Sequence, residues 1–274
     1  MITFDDVSFA YQGGIPDGSE PPALRHIHFH AERGECIVLC GKSGCGKTTM
    51  LRMVNGLVPH FYQGRLEGDI TVGNVHIKEA SLPQVAAVAG SVFQNPRTQF
   101  FHLDTTGEMA FNMENLNIPH DKMVERLKET AWKLDIQTLM DRDIFQLSGG
   151  KKQQIACGSV YASMPEVIVM DEPSSNLDME SIRKLQDLIR TMKDEGKTIL
   201  ISEHRLWYLE DIADRYVLLK DGQIENEFTS DEILALSLQE LEQSGLRAIR
   251  RKQLWNMRTR TIRQEKDMEK AAFL

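Results

Sequence analysis

CIVLC-GKSGCGKT-TMLRMVNGL, residues 36–57, decides the fold. Its first five residues form a continuous apolar stretch, the pattern of a short strand covered on both faces. Gly41 to Thr48 then satisfy the spacing G-x-x-x-x-G-K-[S/T], and a helix-like segment follows at once. Strand, glycine-rich turn and helix start, in that order, build an anion cradle. Gly41, Gly44 and Gly46 let the backbone wrap closely, so that amide N–H groups and the helix N-terminus point at phosphate oxygens. Lys47 adds a point charge, and Thr48 supplies a hydroxyl able to ligate Mg²⁺. Lys42, Ser43, Cys45 and Thr49 complete the candidate nucleotide-binding loop; Cys45 fills space there without being required by the chemistry.

Two more apolar runs, VIVMD (167–171) and TILIS (198–202), match CIVLC and predict the middle of a parallel sheet. In VIVMDEP the strand brings Asp171 to its C-terminal end, where open α/β sheets bind ligands and where a carboxylate can hold Mg²⁺ through water. Glu172 follows, placed to accept a proton from an attacking water or to orient it. Toward the N-terminus, ITFDDVSFAY and LRHIHFHAERGE alternate apolar and polar residues about a Gly/Pro-rich loop at 13–22, which predicts an antiparallel layer with one wet face. A helical insert is expected over residues 104–163, inside a subdomain of about 100–163. Its first turn, Thr105 to Glu108, reads as a capping box. Met123, Val124, Leu127, Ala131 and Leu134 recur within it at helical spacing. Residues 179–194 predict an amphipathic helix stopped by Gly196, and RYVLLKDGQIENEF a strand, an Asp221-Gly222 turn and a second strand. The fold class is therefore α/β: a mostly parallel P-loop core, an N-terminal antiparallel β layer, an inserted helical subdomain and a short C-terminal helical tail. The division expected is a cassette over 1–236 and a basic extension over 237–274.

The bulk composition bounds the function. With 274 residues, 41% hydrophobic and 26% charged, the chain can bury a sizeable core. No apolar run reaches the roughly 18 residues of a membrane span, and the residues after Met1 do not resemble a leader, so a cytoplasmic protein is expected unless a partner holds it at a membrane. Cys36, Cys40, Cys45 and Cys157 show neither a CxxC pair nor zinc-ligand spacing and read as reduced, buried thiols. A net charge of -8 argues against a general nucleic-acid binder. Residues 237–274 carry nine Lys or Arg and five Asp or Glu, net +4, which leaves -12 for the rest. That tail reads as a solvated or partner-docked helix. His26, His28 and His30 share one strand face; lacking a recognisable carboxylate partner, they read as a solvated surface rather than a metal site.

LSGGK, Leu147 to Lys151, opens a second apparent helix with Ser148, Gly149 and Gly150, another anion site of backbone amides and a hydroxyl. With it the sequence resembles the ATP-binding-cassette (ABC) ATPases, whose signature is LSGGQ; Lys151 stands where that family has Gln or Glu. The resemblance covers about residues 1–228 and implies ATP hydrolysis with Mg²⁺ in a head-to-tail pair of cassettes. In such a pair, the signature of one closes on nucleotide held by the other's phosphate loop. It further implies that Tyr11 stacks on adenine and that Gln94 touches Mg²⁺ and the attacking water. Ser174 to Asp178 would cross the dimer interface, and His204 would contact the γ-phosphate. FQNPRTQFF, NGLVPHFYQG, DTTGEMAFNMENLNIP and SEHRLWYL are more narrowly similar to the ATPases of energy-coupling-factor (ECF) importers, which carry vitamins or transition-metal ions. That likeness implies an integral membrane coupling subunit, a separate substrate-binding membrane subunit and a place at the cytoplasmic face of the membrane. Two alternatives are a subunit of another ABC importer and a soluble ABC ATPase acting on nucleic acid or ribosomes. The latter fits less well, because only 53 residues separate Gln94 from Leu147, too few for a long coiled-coil insert.

Overall fold

A computed structural model describes residues 1–12, 22–246 and 249. Two sheets form the framework. The first is antiparallel, in the order β2-β1-β4-β5: β1 (Ile2–Tyr11), β2 (Leu24–Ala31), β4 (Gly64–Val72) and β5 (Val75–His76). The second runs β10-β9-β3-β8-β7-β6, comprising β3 (Cys36–Cys40), β6 (Ala89–Val92), β7 (Val167–Asp171), β8 (Thr198–Ser202), β9 (Arg215–Lys220) and β10 (Gln223–Thr229). All its pairings are parallel except the β9–β10 hairpin, which turns through Asp221 and Gly222 as expected. The Gly/Pro-rich loop predicted at 13–22 lies almost wholly outside the described residues.

The alternating pattern of β1 and β2 works as the sequence implies: Ile2, Phe4, Val7, Phe9, Leu24, Ile27 and Phe29 face a core shared with Ile37 and Leu39 of β3. Cys36, Val38 and Cys40 face the second core with the helices. The helices are α1 (Lys47–Val54), α2 (Leu57–His60), α3 (Leu82–Val88), α4 (Thr105–Asn115), α5 (His120–Lys133), α6 (Gly149–Ala162), α7 (Met179–Asp194), α8 (Ser230–Ala235) and α9 (Leu238–Gln243). Helices α4 to α6 are the expected insert. Helix α7 keeps its predicted bounds because Asp178 caps it and Gly196 leaves it in the left-handed region.

Two expectations are corrected. The α4 N-cap is Asp104, whose Oδ1 accepts from Gly107 N, and not Thr105, whose hydroxyl donates instead to Leu139 O. Glu108 does not close a capping box: it is buried and accepts from the Phe101 and His102 amides, which would otherwise be left without a side-chain partner. His26, His28 and His30 are solvent-facing, yet carboxylates do reach them. His26 Nδ1 lies 2.8 Å from Asp6 Oδ1, His28 Nε2 lies 3.5 Å from the same oxygen, and His30 Nε2 is 3.2 Å from Glu32. Even so, no three-residue group suited to a metal ion occurs among the described residues.

Most of the basic tail lies outside the described residues. Its first part packs inward: Leu241, Leu246 and Ile249 are buried in the helix-side core. All four cysteines are free and buried, as expected. Burial pushes the Cys36, Cys40 and Cys157 thiols up to about 12. Among the described residues no helix is long and apolar enough to cross a membrane.

Candidate nucleotide site

The register of three buried strands sets the site. Ser202 of β8 pairs with Leu39 of β3 on one side and with Asp171 of β7 on the other. The C-terminal ends of these strands are thus level, and the segments that leave them, 41–46, 172–178 and 203–205, emerge at one edge. Three stretches distant in sequence converge because three apolar runs of similar length stack in register.

Gly41 to Gly46 links β3 to α1. Gly41 and Gly46 have φ of 133° and 110°, which side chains rarely tolerate. A Cβ on Gly46 would come within 2.6 Å of Leu24 Cδ2 and 2.9 Å of Ala23 O, and one on Gly41 would overlap Leu219 O. The loop is thus pressed against β2 and β9. Lys47 is 5% exposed, and its ammonium donates to the carbonyls of Gly41 (2.9 Å) and Lys42 (3.0 Å). This places a cation inside the cradle. Thr48 Oγ1 lies 3.2 Å from Asp171 Oδ1, a pair of hard oxygen donors at the loop's mouth that suits Mg²⁺. The residues present therefore fit a magnesium–triphosphate ligand.

Beyond Asp171 the chain turns sharply. Glu172 has φ of 43°, which ends the strand although its amide still donates to Ser202 O of β8 at 2.9 Å. Its carboxylate sits between two side chains from separate loops: Gln94 Nε2 is 3.1 Å from Oε2, and His204 Nε2 is 3.2 Å from Oε1. Of the three residues named from sequence, Gln94 and His204 thus each contact Glu172. Tyr11 reaches the same region from β1. Its ring edge meets Phe9 and Tyr62, while its hydroxyl shares a hydrogen bond with Thr49 Oγ1 (3.0 Å) and accepts from Arg52 (3.2 Å). Arg52 and Tyr62, with the guanidinium 4.1 Å above the ring, were not singled out from sequence. A lone Arg on a helix and a Tyr in a loop give no pattern that points to a ligand.

Ser148 is the N-cap of α6 and accepts from Lys151 N at 3.5 Å. Gly149 has open space where a Cβ would stand, whereas a Cβ on Gly150 would overlap Ser181 of α7. Lys151 is exposed, and Ser148 to Gly150 leave a helix start uncovered within the chain. The structure does not bring this helix start into the Lys47 cradle; its neighbour is α7.

A glycine-rich loop between a central parallel strand and a helix, with an acidic pair at the end of a parallel strand one further along the sheet, defines a P-loop nucleotide-binding cassette. Comparison with known proteins carries this to a family. Residues 24–175 match the ABC transporter family model, and the chain belongs to that family. A putative ABC transporter ATP-binding protein of Treponema denticola is 44% identical over 247 residues, covering 90% of this chain and 50% of the relative. One from Streptomyces coelicolor is 41% identical over 220 residues, covering 80% of this chain and 38% of the relative. The chain thus spans about half the length, or less, of the curated relatives it matches. Among solved structures, cbiO1 of Clostridium perfringens, described as part of the ABC transporter complex cbiONQ, is 26% identical with a TM-score of 0.75. That match covers 85% of this chain and 90% of the other. The dimeric cassette MJ0796, bound to ADP and Pi in a post-hydrolysis state, shares the fold at 23% identity, with a TM-score of 0.71 over 84% of this chain and 99% of that one.

Proposed function

We propose that this chain is the ATP-binding and ATP-hydrolysing cassette of a membrane importer, of the energy-coupling-factor type that takes up a vitamin or a transition-metal ion. The observation that carries the proposal is the placement of Glu172 between Gln94 and His204, at the sheet edge where the Lys47 cradle opens. Bound Mg²⁺ would supply charge neutralisation of the phosphates. Thr48 and Asp171, with Gln94, would hold it. Gly41 to Thr49 bind the phosphate chain through backbone amides, Lys47 and hydroxyls, and Tyr11 stacks on the base beside a surface hollow of about 670 Å³. Glu172 Oε1 or Oε2 accepts the proton of the attacking water, Gln94 orients that water, and His204 contacts the γ-phosphate.

The partner is a second cassette, identical or related, whose Ser148, Gly149 and Gly150 complete the phosphate cage from the other side. An integral membrane coupling subunit docks near Gln94, where a groove of about 600 Å³ is lined by Leu82, Phe93, Phe101 and Phe111, with Phe101 73% exposed. A separate membrane subunit selects the cargo, and the cassette sits on the cytoplasmic face of the membrane. The similarity to cbiO1 supports the importer type. Mass spectrometry of the detergent-solubilised complex, paired with an ATPase assay, tests this: an integral membrane partner and ATP turnover are expected. A turnover-competent chain that co-purifies with no membrane protein would refute the importer.

A further inference from the structure

We infer that Glu203 and Arg205, which flank His204, are positioning residues that lock His204 to the 174–178 loop and, through it, to the Ser148 helix start. The inference rests on the role given above to His204. Glu203 follows β8 and is 2% exposed. A buried carboxylate persists only where its lone pairs are taken. Here four donors take them: the amides of His204 (2.7 Å), Arg205 (3.0 Å) and Ser174 (3.3 Å), and the Tyr208 hydroxyl (2.9 Å). Burial first, and Glu203 second, push the Tyr208 phenol well above its ordinary range, so it remains a donor.

One side chain thus holds the backbone of the histidine and the backbone of the loop that follows Glu172. Arg205 binds the same loop from the other side. Its guanidinium donates to the carbonyls of Ser174 (3.2 Å), Leu177 (3.3 Å) and Ser175 (3.4 Å). That loop ends at Asp178, which caps α7 by accepting from Ser181 N at 2.8 Å, and Ser181 is the residue that closes on Gly150. A continuous path of hydrogen bonds and packing therefore runs from His204, 3.2 Å from Glu172, to the Ser148–Gly150 helix start. Neither Glu203 nor Arg205 hydrogen-bonds through its side chain to the Gly41–Thr48 loop among the described contacts, so nucleotide affinity has no direct dependence on them.

The test is a kinetic double-mutant cycle on the full chain. Glu203→Gln keeps the shape, but its amide cannot accept from all four donors. Displacing a catalytic contact by about 1 Å costs up to about 100-fold in rate, so a fall in kcat of roughly 10-fold or more is expected, with ATP affinity within about 2-fold of wild type. Because the effect passes through His204, Glu203→Gln/His204→Ala should turn over no more slowly than His204→Ala alone. Losses that multiply, an ATP affinity that falls in step with kcat, or undiminished turnover in Glu203→Gln would each overturn the inference. Normal turnover in His204→Ala would instead overturn the role of the histidine itself. Should Glu203→Gln fail to fold, Arg205→Ala, which removes only the three contacts to the loop, must show the same kcat-selective and His204-dependent loss.

Discussion

Replacing Glu172 by Gln separates chemistry from binding and from folding. The side chain is about a quarter exposed, and so is His204. Their contact is thus worth at most about 1 kcal/mol to the fold, as for other partly solvated pairs. The local geometry also accepts the amide. Gln94 can rotate its own amide to present oxygen, and the imidazole can offer its unprotonated nitrogen, so neither the 3.1 Å nor the 3.2 Å contact is forced into a donor–donor clash. The left-handed backbone at Glu172 suits Gln no worse than Glu. What disappears is the capacity to take a proton, which for a positioned general base contributes about 100-fold or more to turnover. At 1.36 kcal/mol per factor of ten, that is about 2.7 kcal/mol on the barrier or more. The expected outcome is therefore a protein with wild-type melting and wild-type ATP affinity by calorimetry, but phosphate release slowed at least about 100-fold. Turnover within tenfold of wild type would remove Glu172 from the role of base. A parallel loss of ATP affinity would mean that the carboxylate shapes the binding site instead.

Lys47→Ala removes the one buried ammonium that the cradle holds on Gly41 O and Lys42 O, and nucleotide binding itself should weaken; normal affinity by titration calorimetry would refute the phosphate-loop assignment. Cys36, Cys40 and Cys157, with thiols pushed up to about 12, hold about one part in ten thousand as thiolate at pH 8. Iodoacetamide should leave these three unmodified in the native protein and label them after denaturation, as read by peptide mass mapping. In the Glu172→Gln background, ATP with Mg²⁺ should drive dimerisation seen by sedimentation, and Ser148→Arg should abolish it while ATP binding persists. A dimer indifferent to that substitution would dissociate the α6 start from the interface.

Most of the framework could be read from hydrophobic pattern because it depends on it. Three unbroken apolar runs became adjacent parallel strands, two alternating runs became an antiparallel pair, and an Asp-Gly dipeptide became a hairpin turn. Local chemistry was less legible where a side chain had two competing uses. Thr105 and Glu108 have the spacing of a capping box, yet both are taken by groups outside their own turn. Sequence alone cannot register the demand of two amides at 101 and 102. The carboxylates beside His26 and His28 escaped notice for a related reason: Asp6 lies 20 residues from His26, and only strand pairing joins them. Glu203 is the sharpest case. Glutamate is rarely buried, and nothing in ISEHR says that four donors from two stretches of chain will meet it.

The two anion-directed helix starts are built differently, and the difference bears on how binding could become movement. The Lys47 cradle is backed by two strands, with Gly46 against Leu24 of β2 and Gly41 against Leu219 of β9, so it has little room to shift. The Ser148 start lies on the helical insert and is tied to the sheet edge through Ser181, Asp178 and the loop that Glu203 and Arg205 hold. A ligand that contacted only the rigid cradle would have no differential affinity for alternative placements of the insert, and so could not bias them. A ligand that also met a helix start on a second chain would favour the closed arrangement by the free energy of those extra contacts. On the role proposed for His204, loss of a γ-phosphate contact there would withdraw part of that bias. Hydrolysis next to Glu172 would then alter the same network that positions the signature helix, joining the chemical step to reopening within one chain.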